Sequence, residues 1–106
     1  MNNVVGNPSR QRELNAALTN AAEAGHLEIL ELLLSSGAEV NFDDRRFHPP
    51  LLSATSSGNA AVLKRLLQQG ADTEAGIFGG ATALYFAISF NNAEMVRTLL
   101  SYGESE

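Results

Sequence analysis

The chain has no cysteine and little positive charge: seven Lys and Arg stand against twelve Asp and Glu in 106 residues. Without cysteine there is no disulfide framework, no thiolate nucleophile and no cysteine-ligated metal, which fits a reducing compartment. The net charge of −5 disfavours nucleic acid or an anionic membrane as the main partner. Only Arg45 and Arg46 are adjacent, although Arg10 and Arg12 lie close together. No segment approaches the roughly 20 apolar residues that span a bilayer. The opening Met-Asn-Asn-Val-Val-Gly-Asn-Pro lacks the apolar run of a secretory signal. The expectation is a cytoplasmic protein with no membrane segment and no cofactor.

Catalytic motifs are missing too. There is neither a Gly-x-x-x-x-Gly-Lys phosphate loop nor a Gly-x-Ser-x-Gly elbow. The only two histidines, His26 and His48, are 22 residues apart, a poor basis for a structural zinc site without cysteine. Asp43, Asp44 and His48 share a stretch with Arg45 and Arg46. An acid–base pair needs burial or a charged neighbour and a pocket that excludes water, and a short loop tip supplies neither.

What the chain does have is a period. Gly37, Gly70 and Gly103 form one column 33 residues apart, and Gly25, Gly58 and Asn91 form a second with the same step. Each ends an apolar stretch, and glycine, then asparagine, closes a helix in the left-handed conformation. Two helix stops per repeating unit predict stacked helical hairpins, each unable to bury its apolar face alone.

The apolar residues share the register. Leu18/Leu51/Leu84 and Ala21/Ala54/Ala87 align in the first half of each unit. Ile29/Val62/Met95, Leu30/Leu63/Val96, Leu33/Leu66/Leu99 and Leu34/Leu67/Leu100 align in the second. Spacings of i, i+1, i+4 and i+5 describe one helix face, and the alanines let neighbouring first helices approach closely. The connectors at 40–48 and 73–81 are rich in Asn, Asp and Gly and predict hairpin-like loops. Pro50 suits a first helical turn, and Thr82, Asn59 and Asn92 suit N-caps. The first helix is predicted to start near Ser9. Its polar leading stretch, Arg10 to Glu13, reads as an N-terminal cap.

These residues resemble the ankyrin repeat. Gly25-His-Leu-Glu-Ile-Leu-Glu-Leu-Leu-Leu-Ser-Ser-Gly-Ala-Glu-Val-Asn41 is similar to that family's second helix and following turn. Gly58–Asp72 and Asn91–Gly103 repeat it more loosely. The family's Thr-Pro-Leu-His signature survives in part, as Pro49-Pro-Leu-Leu52 and Thr82-Ala-Leu-Tyr85. The resemblance implies an all-α ankyrin-repeat solenoid of three helix-turn-helix units joined by β-hairpin-like loops. Its expected organisation is a flexible 1–8 and a domain over 9–106, with units at about 9–42, 43–75 and 76–106.

The resemblance also implies a protein-interaction module that uses hairpin tips and the concave face of the first helices. The matching positions are Arg45, Arg46 and His48 on one hairpin, and Ile77, Phe78, Gly79 and Ala81 on the other. Glu23 and Ala24, Ser56 and Ser57, and Ser89 and Phe90 match on the helices. Aromatic anchors with arginine are hot-spot composition: a partner's apolar side chain would dock near Phe78 and Phe90, its carboxylate on Arg45 or Arg46. The competing reading folds Phe78 onto its own hairpin and pairs the arginines with Asp43 and Asp44. An alternative function is a small-molecule-binding or acid/base-assisted enzyme on the same groove, with Tyr85, His48 or an Asp moving a proton. It would need a deep pocket between the hairpins and the first helices.

The third unit has no obvious polar cap. Ile88 stands where the second unit has Thr55, and Met95, Leu99 and Tyr102 complete an apolar end expected to be exposed. Truncation of a longer array, self-association as a two-fold homodimer and a partner site all account for it. Leu99→Glu is the substitution expected to separate them.

Overall fold

The computed structural model describes residues 8–42, 44, 46–76 and 81–103. Six helices run in order: α1 (Pro8–Ala24), α2 (Leu27–Ser35), α3 (Pro50–Ser57), α4 (Ala60–Gln68), α5 (Ala83–Ser89) and α6 (Ala93–Gly103). No strand occurs among the described residues. Consecutive helices pair as hairpins, α1 with α2, α3 with α4 and α5 with α6. The hairpins stack so that α1, α3 and α5 form one row and α2, α4 and α6 the other. Stacking in one direction makes the molecule elongated, 49 × 29 × 28 Å, as a repeat array must be.

Five of the six positions in the two columns close a helix as the spacing predicts, whereas Gly103 is the last residue of α6. Gly25, Gly37, Gly58 and Gly70 have φ between +77° and +105°, and Asn91 joins them at +57°. Each reverses the chain with the same two hydrogen bonds. At Gly37 they run from Gly37 N–H to the Leu34 carbonyl (3.1 Å) and from Ala38 N–H to the Leu33 carbonyl (3.0 Å). The pattern recurs at Gly70 with Leu67 and Leu66, and at Asn91 with Ile88 and Ala87. These are Schellman closures, which satisfy carbonyls that a helix end leaves without partners.

Gly25 carries a second constraint. A Cβ there would collide with the Asn59 carboxamide of the next unit, whereas a Cβ at Gly58 meets open space. Gly58→Ala therefore costs about 1–2 kcal/mol for the left-handed backbone alone. Gly25→Ala costs that plus displacement of Asn59, about 2–3 kcal/mol together. Urea unfolding should show the larger loss at Gly25, and Asn59→Ala in that background should recover part of it.

Asn59 corrects one expectation. It occupies the N-cap position of α4 but makes no side-chain cap bond. Its Nδ2 donates instead to Ser57 Oγ at 2.7 Å and to the Glu23 carbonyl at 3.5 Å, because the bare Gly25 backbone brings the first unit within reach. Thr82 also precedes its helix without a side-chain cap bond. Asn92 caps as expected, its Oδ1 accepting from Met95 N–H at 3.2 Å. Pro50 is the first residue of α3.

The stacking core is continuous. Leu18, Leu51, Leu63, Leu66, Met95 and Leu99 are buried together with Ala21, Ala54 and Ala87, so the small residues of the first helices do sit at the packed interface. Burial of Met95 and Leu99 corrects their assignment to an exposed self-association face: both point into the stack, covered by their own and the preceding unit.

α1, at 17 residues, is more than twice the length of α3 or α5. Its leading turns stand where later units have a connector, and they do the same work. At the end of the second unit the partner is a connector asparagine: Asn41 Nδ2 donates to the Gly70 carbonyl and its Oδ1 accepts from Asp72 N–H. One unit earlier, Gln11 Nε2 donates to the Gly37 carbonyl and Asn15 Oδ1 accepts from Glu39 N–H. The polar leading stretch is thus a cap that replaces a hairpin asparagine, and it starts at Pro8, one residue before the predicted start.

Candidate protein-interaction surface

Each first helix ends in a Schellman closure, so its last turn presents the same two positions on the same side in every unit. Glu23 and Ala24, Ser56 and Ser57, and Ser89 and Phe90 are all exposed. They form a stripe along the α1–α3–α5 row. Glu23 and the serines keep the stripe low and polar until it reaches α5.

There the character changes. Phe90 is exposed and lies stacked against Phe86, with centroids 6.4 Å apart and planes at 23°. Tyr85 meets Phe86 edge-on at 5.5 Å and is itself exposed. Phe86 packs against the core and so holds the outer ring in place. Phe90 is an expected site residue, whereas Phe86 has no role in the expected surface. The signal was present as the i, i+4 spacing that puts two rings on one helix face.

The connectors divide. Arg45, Ile77 and Phe78, expected at the two tips, lie outside the described residues, as does Gly79. The second connector is closed by an isolated antiparallel bridge between Gly76 and Thr82, the hairpin-like geometry predicted. Ala81 beside it is half-buried. In the first connector, Phe47 N–H bonds the Asp44 carbonyl in a tight turn. The loop is tied back to α1 by Thr19 Oγ1, which donates to the His48 carbonyl at 2.9 Å. His48 is exposed.

Arg46 does not stand free for a partner. Its Nε and Nη2 donate to the two Asp44 carboxylate oxygens at 3.0 and 2.9 Å, and its backbone N–H donates to Asp44 Oδ1. The guanidinium also lies 5.8 Å from the Phe47 ring centroid. The side-chain hydrogen bonds from Arg46 hold the Asp44 carboxyl below its ordinary range, and the same contact raises the guanidinium above its own. Of the two readings weighed for this arginine, the solvated pair is the one formed, because a two-residue spacing across a turn brings the fork onto the carboxylate.

Two of the hollows on the described surface bear on the alternative reading. One, of about 450 Å3, lies between α4 and α6 and is lined by Lys64, Glu94, Arg97 and Tyr102 among others. The other, of about 310 Å3, lies at the end of the stack between α5 and α6. Neither joins His48, Asp44 or Tyr85, so neither is the pocket that the acid/base alternative needs. Among the described residues, no group of three or more His, Asp or Glu is placed to hold a metal ion. No helix there is long and apolar enough to cross a membrane.

Helical hairpins stacked in two rows define a helical repeat array with an exposed stripe along the first-helix row. A family model described as ankyrin repeats (three copies) matches residues 18–106, and the chain belongs to the ankyrin-repeat family. No curated protein matches it. Ankyrin repeats are in general protein–protein interaction modules.

Proposed function

We propose that this chain is a non-catalytic protein-interaction module whose partner lies along the exposed ends of the first helices and places an apolar side chain against Phe90. The observation that carries this reading is the exposed Phe90 ring held by Phe86. A preorganised aromatic loses little freedom on binding, and exposed aromatics set among small polar residues have hot-spot composition. The hairpin positions His48, Arg45, Ile77, Phe78 and Ala81 would extend the same surface. Arg46 enters only if a partner carboxylate displaces Asp44.

Selection of a displayed linear-peptide library against the protein tests this. Selected peptides should lose about tenfold or more in affinity on Phe90→Ala, about 1–2 kcal/mol. They should be unaffected by Lys64→Ala on the second-helix row. Peptides indifferent to Phe90→Ala and weakened by Lys64→Ala would place binding on the opposite side and end this reading.

A further inference from the structure

The repeat register allows each end of the stack to be compared with its own interior. Ile88 is 61% exposed where its column mate Thr55 is 1%, and Leu100 is 45% exposed where Leu67 is 5%. What separates the members of each column is whether a further described unit packs against them. The opposite end behaves the same way: Ile29 is 49% exposed, while Val62 and Met95 are fully covered. Leu32 is exposed as well, and its column mate Arg65 reaches back across the unit boundary to Glu31 at 2.7 Å. Ile29 and Leu32 therefore sit on the side of α2 that faces a preceding second helix. The α1 cap engages Gly37 and Glu39 and leaves both uncovered.

The two bare ends are the two halves of one contact, which this chain already makes twice internally. The third unit offers the hollow of about 310 Å3 lined by Ala87, Ile88, Asn91, Val96 and Arg97. The first unit offers projecting apolar side chains at the positions that meet a preceding unit. The charges also match. Arg97 shares a column with Glu31, the residue that reaches forward across the boundary. Glu28 precedes Leu32 by one helical turn and lies on the receiving side. Both are exposed, and among the described residues neither makes an ion pair.

We propose that a second copy of this chain occupies the exposed end, head to tail: the third unit of one molecule receives Ile29 and Leu32 of the next, with Arg97 opposite Glu28. This contact is heterologous and does not close on itself, unlike a two-fold dimer. It shares no substituted residue with the Phe90 reading, so either can fail alone.

Light scattering on a dilution series tests it with Ile29→Glu and Ile88→Glu, both at exposed positions and checked for unchanged helix content by circular dichroism. The wild type should exceed twice the 11.3 kDa monomer mass as concentration rises. Each variant alone should stay monomeric. An equimolar mixture should form a two-chain species and stop there, because each variant keeps the one face that the other has lost. A wild type that is monomeric throughout overturns the proposal, as does a mixture that stays monomeric. Self-association of Ile29→Glu alone also overturns it, since that would be a two-fold contact between third units. If either variant loses helix, Leu32→Glu or Leu100→Glu replaces it.

Discussion

Leu63→Ala should remove about 3 kcal/mol of folding stability, read as a fall in the urea midpoint and a melting temperature lower by at least about 10 °C. Leu63 is fully buried in α4, the second helix of the middle unit. Truncation removes three carbon atoms from the packed interior and leaves a cavity that a stack of short helices closes only in part. The position magnifies the effect. In a linear array each unit is stabilised by its neighbours, and the middle hairpin is the one that α2 and α6 both contact through α4. A loss there uncouples the two ends as well as loosening one helix. Against a total of about 5–15 kcal/mol for a domain of ordinary stability, this is a large fraction. Leu32→Ala, compared at a dilution where the chain is monomeric, is the control: the same chemical change at an exposed site should stay within about 0.5 kcal/mol. Equal losses at the two positions would mean that the burial pattern is wrong.

Leu99→Glu should unfold the third unit. The sequence suggests it as a probe of self-association, yet Leu99 is only 4% exposed and belongs to the continuous core. A carboxylate there would lose its hydration among apolar neighbours, a cost of several kcal/mol. The introduced carboxyl would have a folded-state pKa above its unfolded value. The penalty is therefore largest above the folded value and eases as pH falls through it toward the unfolded value near 4.3. Helical circular dichroism should drop at neutral pH and recover in part at mild acidity. Leu100→Glu, one residue on and largely exposed, should keep full helix content at both. If Leu99→Glu kept native ellipticity and urea resistance at neutral pH, α6 would not pack through Leu99.

Much of the fold was legible because its determinants are local. The left-handed closures at Gly25, Gly37, Gly58, Gly70 and Asn91 follow from residue type and spacing. So does the face defined by Leu30, Leu33 and Leu34. Less of the surface could be read, for three different reasons. Met95 and Leu99 looked like an exposed apolar end because the alignment says which residues share a column, not which way a column faces. Asn59 looked like a helix cap because the chain alone does not show that its Nδ2 engages Ser57 Oγ two residues back and the Glu23 carbonyl 36 residues away. Arg46 looked available because sequence cannot choose between a partner's carboxylate and Asp44.

The repeat is legible in the chain alone: its period, its helix stops and its apolar columns, which together resemble the ankyrin repeat. These are properties of short stretches, set by backbone conformation and side-chain periodicity. Only the tertiary structure decided which members of each column are covered, that Gln11 and Asn15 take over the work of a hairpin asparagine, and that Phe86 holds Phe90 on the surface. Exposure depends on the presence of a neighbouring unit, and identical positions meet different neighbours at the middle and the ends of a stack.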